Sequence, residues 1–211
     1  MRVGSHKPVR PELVEGPPFF HGEAMPKHLL LVSHPTTPAS IPTPGVRFER
    51  KGAILRMTFG IPDDTSSIAF ANRVGPLAKQ SAERRQNELW KHTCFEAFVR
   101  PAGRSEYVEF NFSPSLEWAA YQFDDYRMGM RNADVPIPAV IPTLHSNRFE
   151  LSARIELPDW GADQWLINFA AVIEEKSGRQ SYWALRHPSE GPPDFHHPDC
   201  FALTLPAPGG A

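Results

Sequence analysis

The sequence predicts an all-β fold, an antiparallel β-sandwich of about nine or ten short strands, and three observations carry that expectation. Apolar and polar residues alternate with period two, most cleanly in Phe149–Leu157. There Phe149, Leu151, Ala153, Ile155 and Leu157 oppose Glu150, Ser152, Arg154 and Glu156, the pattern of a strand with one wet face. Proline is abundant, 23 residues beside 14 glycines, so the chain turns often and suits short strands better than long helices. Finally, no internal repeat and no long amphipathic helix appears in the 211 residues, whose 41% hydrophobic and 22% charged content is enough for one sizeable core.

Residues 1–24 stand apart, with no apolar period and mixed Pro, Gly and charge. Their stretch RPELVEGPPFF (Arg10–Phe20) resembles peptides made when a bacterial intergenic repeat is translated through a start-site error, so Met25 is expected to be the true start. Neither a tail nor an artefact of this composition needs to fold. Residues 25–45 read as a Pro-rich extended lead-in, with four prolines in Pro35–Pro44. The sandwich proper is expected over 46–206, followed by a tail at 207–211.

Within it, Arg47–Arg50 and Ala53–Ile61 flank Lys51-Gly52, a hairpin turn. Leu55, Met57 and Phe59 share one face of the second arm, opposite Ile54 and Arg56. Ile68–Val74 reads as a short strand and Gly75–Glu88 as a charged loop. Thr93–Val99, Tyr107–Ser113 and Glu117–Phe123 are the next strands. Trp165–Ile173 is nearly all apolar and reads as a buried strand, turning at Glu174–Gly178 into Gln180–Leu185; Asp199–Leu205 closes the domain.

Several functions are excluded by composition. A net charge of −2 and a pI near 6.5 argue against nucleic acid as a partner, which demands a local excess of Lys and Arg. No polybasic patch suits a membrane surface, and no run approaches the roughly 20 apolar residues of a membrane span. Leu29–Val32 is shorter than the roughly 7–15-residue core of a secretory signal, so the expected location is cytoplasmic. Cys94 and Cys200 read as reduced thiols.

Side-chain parity locates the candidate chemistry. In an antiparallel meander of the three central strands, Phe95, Ala97, Val99, Val108, Phe110 and Phe112 form an apolar face, with Ala119, Tyr121 and Phe123 assigned to it from the third strand. The opposite face is expected to gather Glu96, Glu109, Asn111, Trp118 and Gln122, with Trp90 and His92 near its rim. Flat aromatics beside carboxylates and amides suit a sugar, stacking on its C–H patches and taking its hydroxyls in pairs. Arg127, in the loop Tyr126–Arg131 at the sheet's end, is a further candidate for clamping hydroxyls or a carboxylate; pairing with Asp124 or Asp125 is the bland alternative.

Three blocks carry a family resemblance: LWKHTCFEAFV (Leu89–Val99), YVEFNFSPSLEWAAYQF (Tyr107–Phe123), and SYWALRHP (Ser181–Pro188) with DFHHPDCFALTL (Asp194–Leu205). They resemble the bacterial DOMON-like proteins, relatives of the family-nine carbohydrate-binding modules, over about residues 46–205. The resemblance implies an immunoglobulin-like or jelly-roll-type sandwich with a site for sugar or haem. In the sugar-binding relatives two tryptophans sandwich a ring and a glutamate soon after the first bonds its hydroxyls. Trp90 followed by Glu96 matches that part, and Trp183, with Phe195 behind it, is the candidate for the second wall.

The expected function is therefore a non-catalytic domain binding a saccharide or similar small molecule, without a cofactor. Haem is the family's other option, with Met57, Met128 and Met130 and with His92, His187, His196 and His197 available, though no spacing pairs them. Zinc at His196, His197 and Cys200 lacks a fourth ligand, and adjacent histidines on an extended segment point apart. A Cys94–His92 dyad is too widely spaced on a strand, at roughly 6.5–7 Å. Glu96 and Glu109 are spaced for a glycosidase pair, but a polar face would not raise the pKa of an acid.

Overall fold

The computed structural model describes residues 27–62, 65–70, 84–157, 160–162 and 164–206. The proposed tail 1–24, the expected start at Met25, most of Ile68–Val74 and of the loop after it, and the tail 207–211 lie outside the described residues. Thirteen strands build two antiparallel sheets. Sheet A has the order β1 (Lys27–Leu30), β3 (Gly45–Lys51), β4 (Ile54–Pro62), β10 (Arg148–Glu156), β9 (Ala139–Leu144). Sheet B runs β2 (Val32–Ser33), β12 (Gln180–Ala184), β11 (Gln164–Glu174), β5 (Cys94–Pro101), β6 (Tyr107–Phe112), β7 (Trp118–Phe123), β8 (Arg131–Asn132), and β13 (Leu203–Pro206) pairs with the first half of β11.

The core lies between the sheets. Leu55, Met57, Phe59 and Ile61 of β4 and Phe149, Leu151 and Ile155 of β10 face Phe95, Phe110, Phe169 and their neighbours. Phe59 sits at the crossing, 5.2 Å from the ring of Phe95 and 5.9 Å from that of Phe169. The outer face of sheet A meets water as the alternation predicts, with Thr58 and Ser152 hydroxyls 3.0 Å apart and Arg47 paired to Glu150 at 2.7 Å.

The lead-in is more than a lead-in. β1 pairs with β3 in one sheet and β2 with β12 in the other, so the chain crosses the open side of the sandwich at Leu31, which is buried. The Leu31 N–H donates to the Pro44 carbonyl at 2.9 Å, tying the proline-rich stretch down. β9 was also not expected; it is an edge strand interrupted by Pro142, a residue tolerated at an edge because its missing N–H faces away from the ladder. The expected closing strand is shorter than read, since Pro198–Cys200 is a 3-10 turn before β13. Of Ile68–Val74, the described part contributes one bridge, Ile68 to Glu175.

Phe59→Ala is expected to cost about 3–5 kcal/mol of stability, the usual loss for a fully buried aromatic, measured by urea unfolding of the full chain.

Candidate functional site

Sheet B differs from sheet A in having both faces buried. Every residue of β6 is buried, and β5 is nearly so. The outer face carries Cys94, Glu96 and Phe98 on β5, Tyr107, Glu109 and Asn111 on β6, and Ala119, Tyr121 and Phe123 on β7. Above it lies the coil that follows β12, where Phe195 and Phe201 pack edge-on to Phe98, both at 6.4 Å. Asn168 of β11 anchors this coil, its amide donating to the Phe195 carbonyl at 3.1 Å. The roof leaves one cleft of about 300 Å³. Glu96 and Glu109 form its floor, and Trp90, Phe123, Tyr182, Phe195, His196, Arg127 and Met130 stand around it.

The floor is unusual in its electrostatics. Glu96 is 2% exposed and its Oε1 has no hydrogen-bond partner. Burial pushes its carboxyl well above the ordinary range, and the Glu109 charge adds to that. Glu109 is pushed up to about 7 by burial, against the opposing hydrogen bond of Asn111, whose amide donates to Oε1 at 2.6 Å, and the charge of Arg127. The two carboxyls are diagonal neighbours, since Glu96 pairs with Asn111 and Glu109 with Phe98; such positions are about 7–8 Å apart. The polar face expected around them is therefore corrected to a buried one, on which burial raises both carboxyls.

Behind the floor runs a hydrogen-bonded chain. The Arg127 N–H donates to the Tyr107 hydroxyl at 3.2 Å, and that hydroxyl lies 2.8 Å from His196 Nδ1. The other ring nitrogen, Nε2, lies 3.7 Å from Glu109 Oε2. Burial first, and Arg127 second, lower the His196 pKa to about 4 and keep it neutral. Arg127 itself takes a left-handed backbone, φ 55°, held by that N–H and by the tight turn in which the Met128 N–H bonds Asp125 O at 2.9 Å. Its guanidinium donates to Asp194 Oδ1 at 2.8 Å, and the Tyr126 hydroxyl donates to the other oxygen. Burial alone raises Asp194, but these two donors outweigh it and the net shift is downward. Arg127 thus pairs with neither Asp124 nor Asp125.

Of the residues expected at the site, Trp90, Glu96, Glu109 and Arg127 line the cleft, and Asn111 orients Glu109 from beside it. His92 stays outside, largely exposed and bonded to Glu174 at 2.8 Å. Trp118, Gln122 and Trp183 belong to the other face and are corrected. Phe112 pairs with Trp118 and Val108 with Gln122, so both share the inner face; Trp118 is in the core, with the Arg85 guanidinium 5.0 Å over its ring. Trp183 is likewise in the core, its indole N–H donating to the Ser181 hydroxyl at 2.9 Å. Its neighbour Tyr182 takes the wall position instead, one residue along the strand and hence on the opposite face. Phe195, expected behind Trp183, lines the cleft itself, and Tyr182, Phe123, Met130 and His196, not assigned to the site from sequence, line it too.

Haem does not fit these residues. Met57 lies between the sheets, Met128 and Met130 are exposed, and both ring nitrogens of His196 face protein partners. His187 Nε2 is 2.8 Å from the Val32 carbonyl. His197 Nδ1 accepts from the Asp199 N–H, and the Cys200 thiol donates to Asp194 O, so the HHPDC segment spreads its ligands apart. Cys94 and Cys200 are buried and unpaired.

A protein from Bacteroides uniformis, provisionally described as carbohydrate-binding, shares this fold with a TM-score of 0.67 at 16% identity, over 86% of each chain. Two structures of a family 9 carbohydrate binding module from Caldicellulosiruptor kristjanssonii superpose less well. The complex with cellotriose has a TM-score of 0.42 at 12% identity, over 70% of this chain and 67% of its own. The complex with glucose has 0.44 at 12%, over 82% and 84%. No family profile and no curated protein matches the sequence. At the identity of the Bacteroides protein, what is shared is the sandwich.

Two outcomes follow from the geometry. Trp183→Ala and Trp118→Ala are expected to lose about 3–5 kcal/mol in urea unfolding, as core aromatics do, while Trp90→Ala loses far less. The second concerns pH. Glu109 holds its proton more tightly folded, about 7 against 4.5 unfolded, so its contribution is present below pH 4.5 and is lost as pH rises toward 7. His196, about 4 against 6.5, acts in the opposite sense: its contribution is present above pH 6.5 and is lost as pH falls toward 4. Glu109→Gln is therefore expected to raise Tm over the parent by about 3 °C or more at pH 8, with the difference closing below pH 4.5 in thermal scans.

Proposed function

We propose that this domain is a non-catalytic binding module, DOMON-like and related to the family-nine carbohydrate-binding modules, which takes a saccharide-sized molecule in the cleft of sheet B. The observation that carries the reading is Glu96 Oε1, a buried acceptor without a partner at the floor of an aromatic-walled cleft. A buried oxygen in that state costs about 1–3 kcal/mol relative to a satisfied one, and a ligand hydroxyl would remove the deficit. Trp90, Tyr182 and Phe195 line the cleft with aromatic rings, which suit the C–H surface of a sugar, and about 300 Å³ lies at the small end of ligand sites. Hydrolysis fits less well. Glu96 and Glu109 rise from adjacent strands of one sheet face, so they approach a ligand from the same side, whereas glycosidases set two carboxyls across the scissile bond.

Titration of a panel of mono- and disaccharides, followed by tryptophan fluorescence, tests the reading. Binding of at least one sugar is expected, weakened about tenfold or more by Trp90→Ala and by Glu96→Ala, with circular dichroism unchanged and no release of reducing ends. Equal binding by both variants would move the site elsewhere, and unfolding of Glu96→Ala would make that residue structural.

A further inference from the structure

The floor of the cleft carries two acidic groups, and the one guanidinium among its described lining residues is committed elsewhere. The nearest guanidinium, Arg127, is matched by Asp194 at 2.8 Å. Among the described residues no Lys or Arg lies within 4 Å of either floor carboxyl, and the one ion-pair neighbour of Glu109 is His196 at 3.7 Å, a ring that burial keeps neutral. Glu96, 2% exposed, lines this space and carries a buried Oε1 without a hydrogen-bond partner. Protons can neutralise such a pair, and so can a ligand cation. The walls favour the cation, because Trp90, Tyr182 and Phe195 line the cleft and aromatic rings attract a cation to their π density.

We propose that the ligand is an amino sugar, its ammonium group seated against Glu96 and Glu109 and its ring against Trp90 and Tyr182; this rests on the saccharide reading above. An ammonium supplies three donors, enough to reach Glu96 Oε1 and the free side of Glu109, whose Oε1 already accepts from Asn111. A neutral hydroxyl supplies one donor and cannot take the place of the proton that a floor carboxyl gives up on ionising. An N-acetyl sugar replaces the cation with an amide and meets the same deficit.

Calorimetric titration of the full chain at pH 7 with glucosamine, galactosamine, glucose, N-acetylglucosamine and cyclohexylamine decides the matter. One free amino sugar is expected to bind about tenfold or more tighter than its neutral and N-acetylated counterparts, the range of charge-assisted hydrogen bonds. Glu96→Gln and Glu109→Gln should each collapse that preference toward one, with folding checked by circular dichroism. If glucose or N-acetylglucosamine binds as tightly as the amino sugar, the amino-sugar inference falls and the saccharide reading stands. If cyclohexylamine binds as tightly, the sugar ring contributes nothing and both fall. If neither amino sugar binds, the inference falls, and the wider saccharide panel decides the broader reading alone.

Discussion

Glu96 and Glu109 are cut off from bulk water because Phe195, His196 and Phe201 lie across the sheet that carries them. Desolvation of a carboxyl is expensive, so a fold that retains two side by side has to compensate elsewhere. The compensation is visible in the second hydrophobic cluster, where Phe98, Tyr107, Tyr121 and Phe123 of the sheet pack under Leu89, Phe195 and Phe201. Among the described residues sheet A has no such cover, and its outer face carries paired surface charges of small energetic consequence. The asymmetry between the two outer faces is what makes a site.

The roof is fastened at several points, each polar and each local. Asn168 holds the Phe195 carbonyl, the Cys200 thiol bonds the Asp194 carbonyl, and Asp194 collects Arg127, Tyr126 and the His196 N–H. Because Arg127 belongs to the loop between β7 and β8, this network joins the covering coil to the opposite end of the sheet. Tyr107 then links that loop to His196 from below. The ring nearest Glu109 is thereby held in orientation by the hydrogen bond made on its other nitrogen.

Much of the sandwich was legible because period two is a physical property of the pleat. β4, β5, β6, β10 and β11 appear where alternation or an apolar run marks them. β1 and β2 are too short to show a period, and the largely exposed β9 has little to alternate. Glu96, Glu109 and Asn111 were placed together by parity, which needs only the strands themselves. Trp118 was not, because its face depends on the register across the Ser113–Glu117 connection, and a slip of one residue turns a whole strand over. The same single-residue step separates Trp183 in the core from Tyr182 in the cleft. The covering coil was illegible for another reason: Pro188–Cys200 has no period, and its aromatic residues could as readily have met water, a partner or the sheet.

That coil also bears on the choice between binding and catalysis. Tyr107, His196 and Glu109 form a sequence of proton-bearing groups that would attract attention in any enzyme. Yet His196 Nδ1 is taken up by Tyr107, and Glu109 is almost wholly buried. A general acid must deliver its proton to a leaving atom opposite a second group, and both carboxyls here share one side. The same arrangement suits holding a ligand: the chain fixes the ring beside Glu109, Asn111 fixes the carboxylate, and Glu96 keeps an acceptor unfilled. One buried acceptor at the floor of the cleft is left without a partner, as the proposed binding role requires.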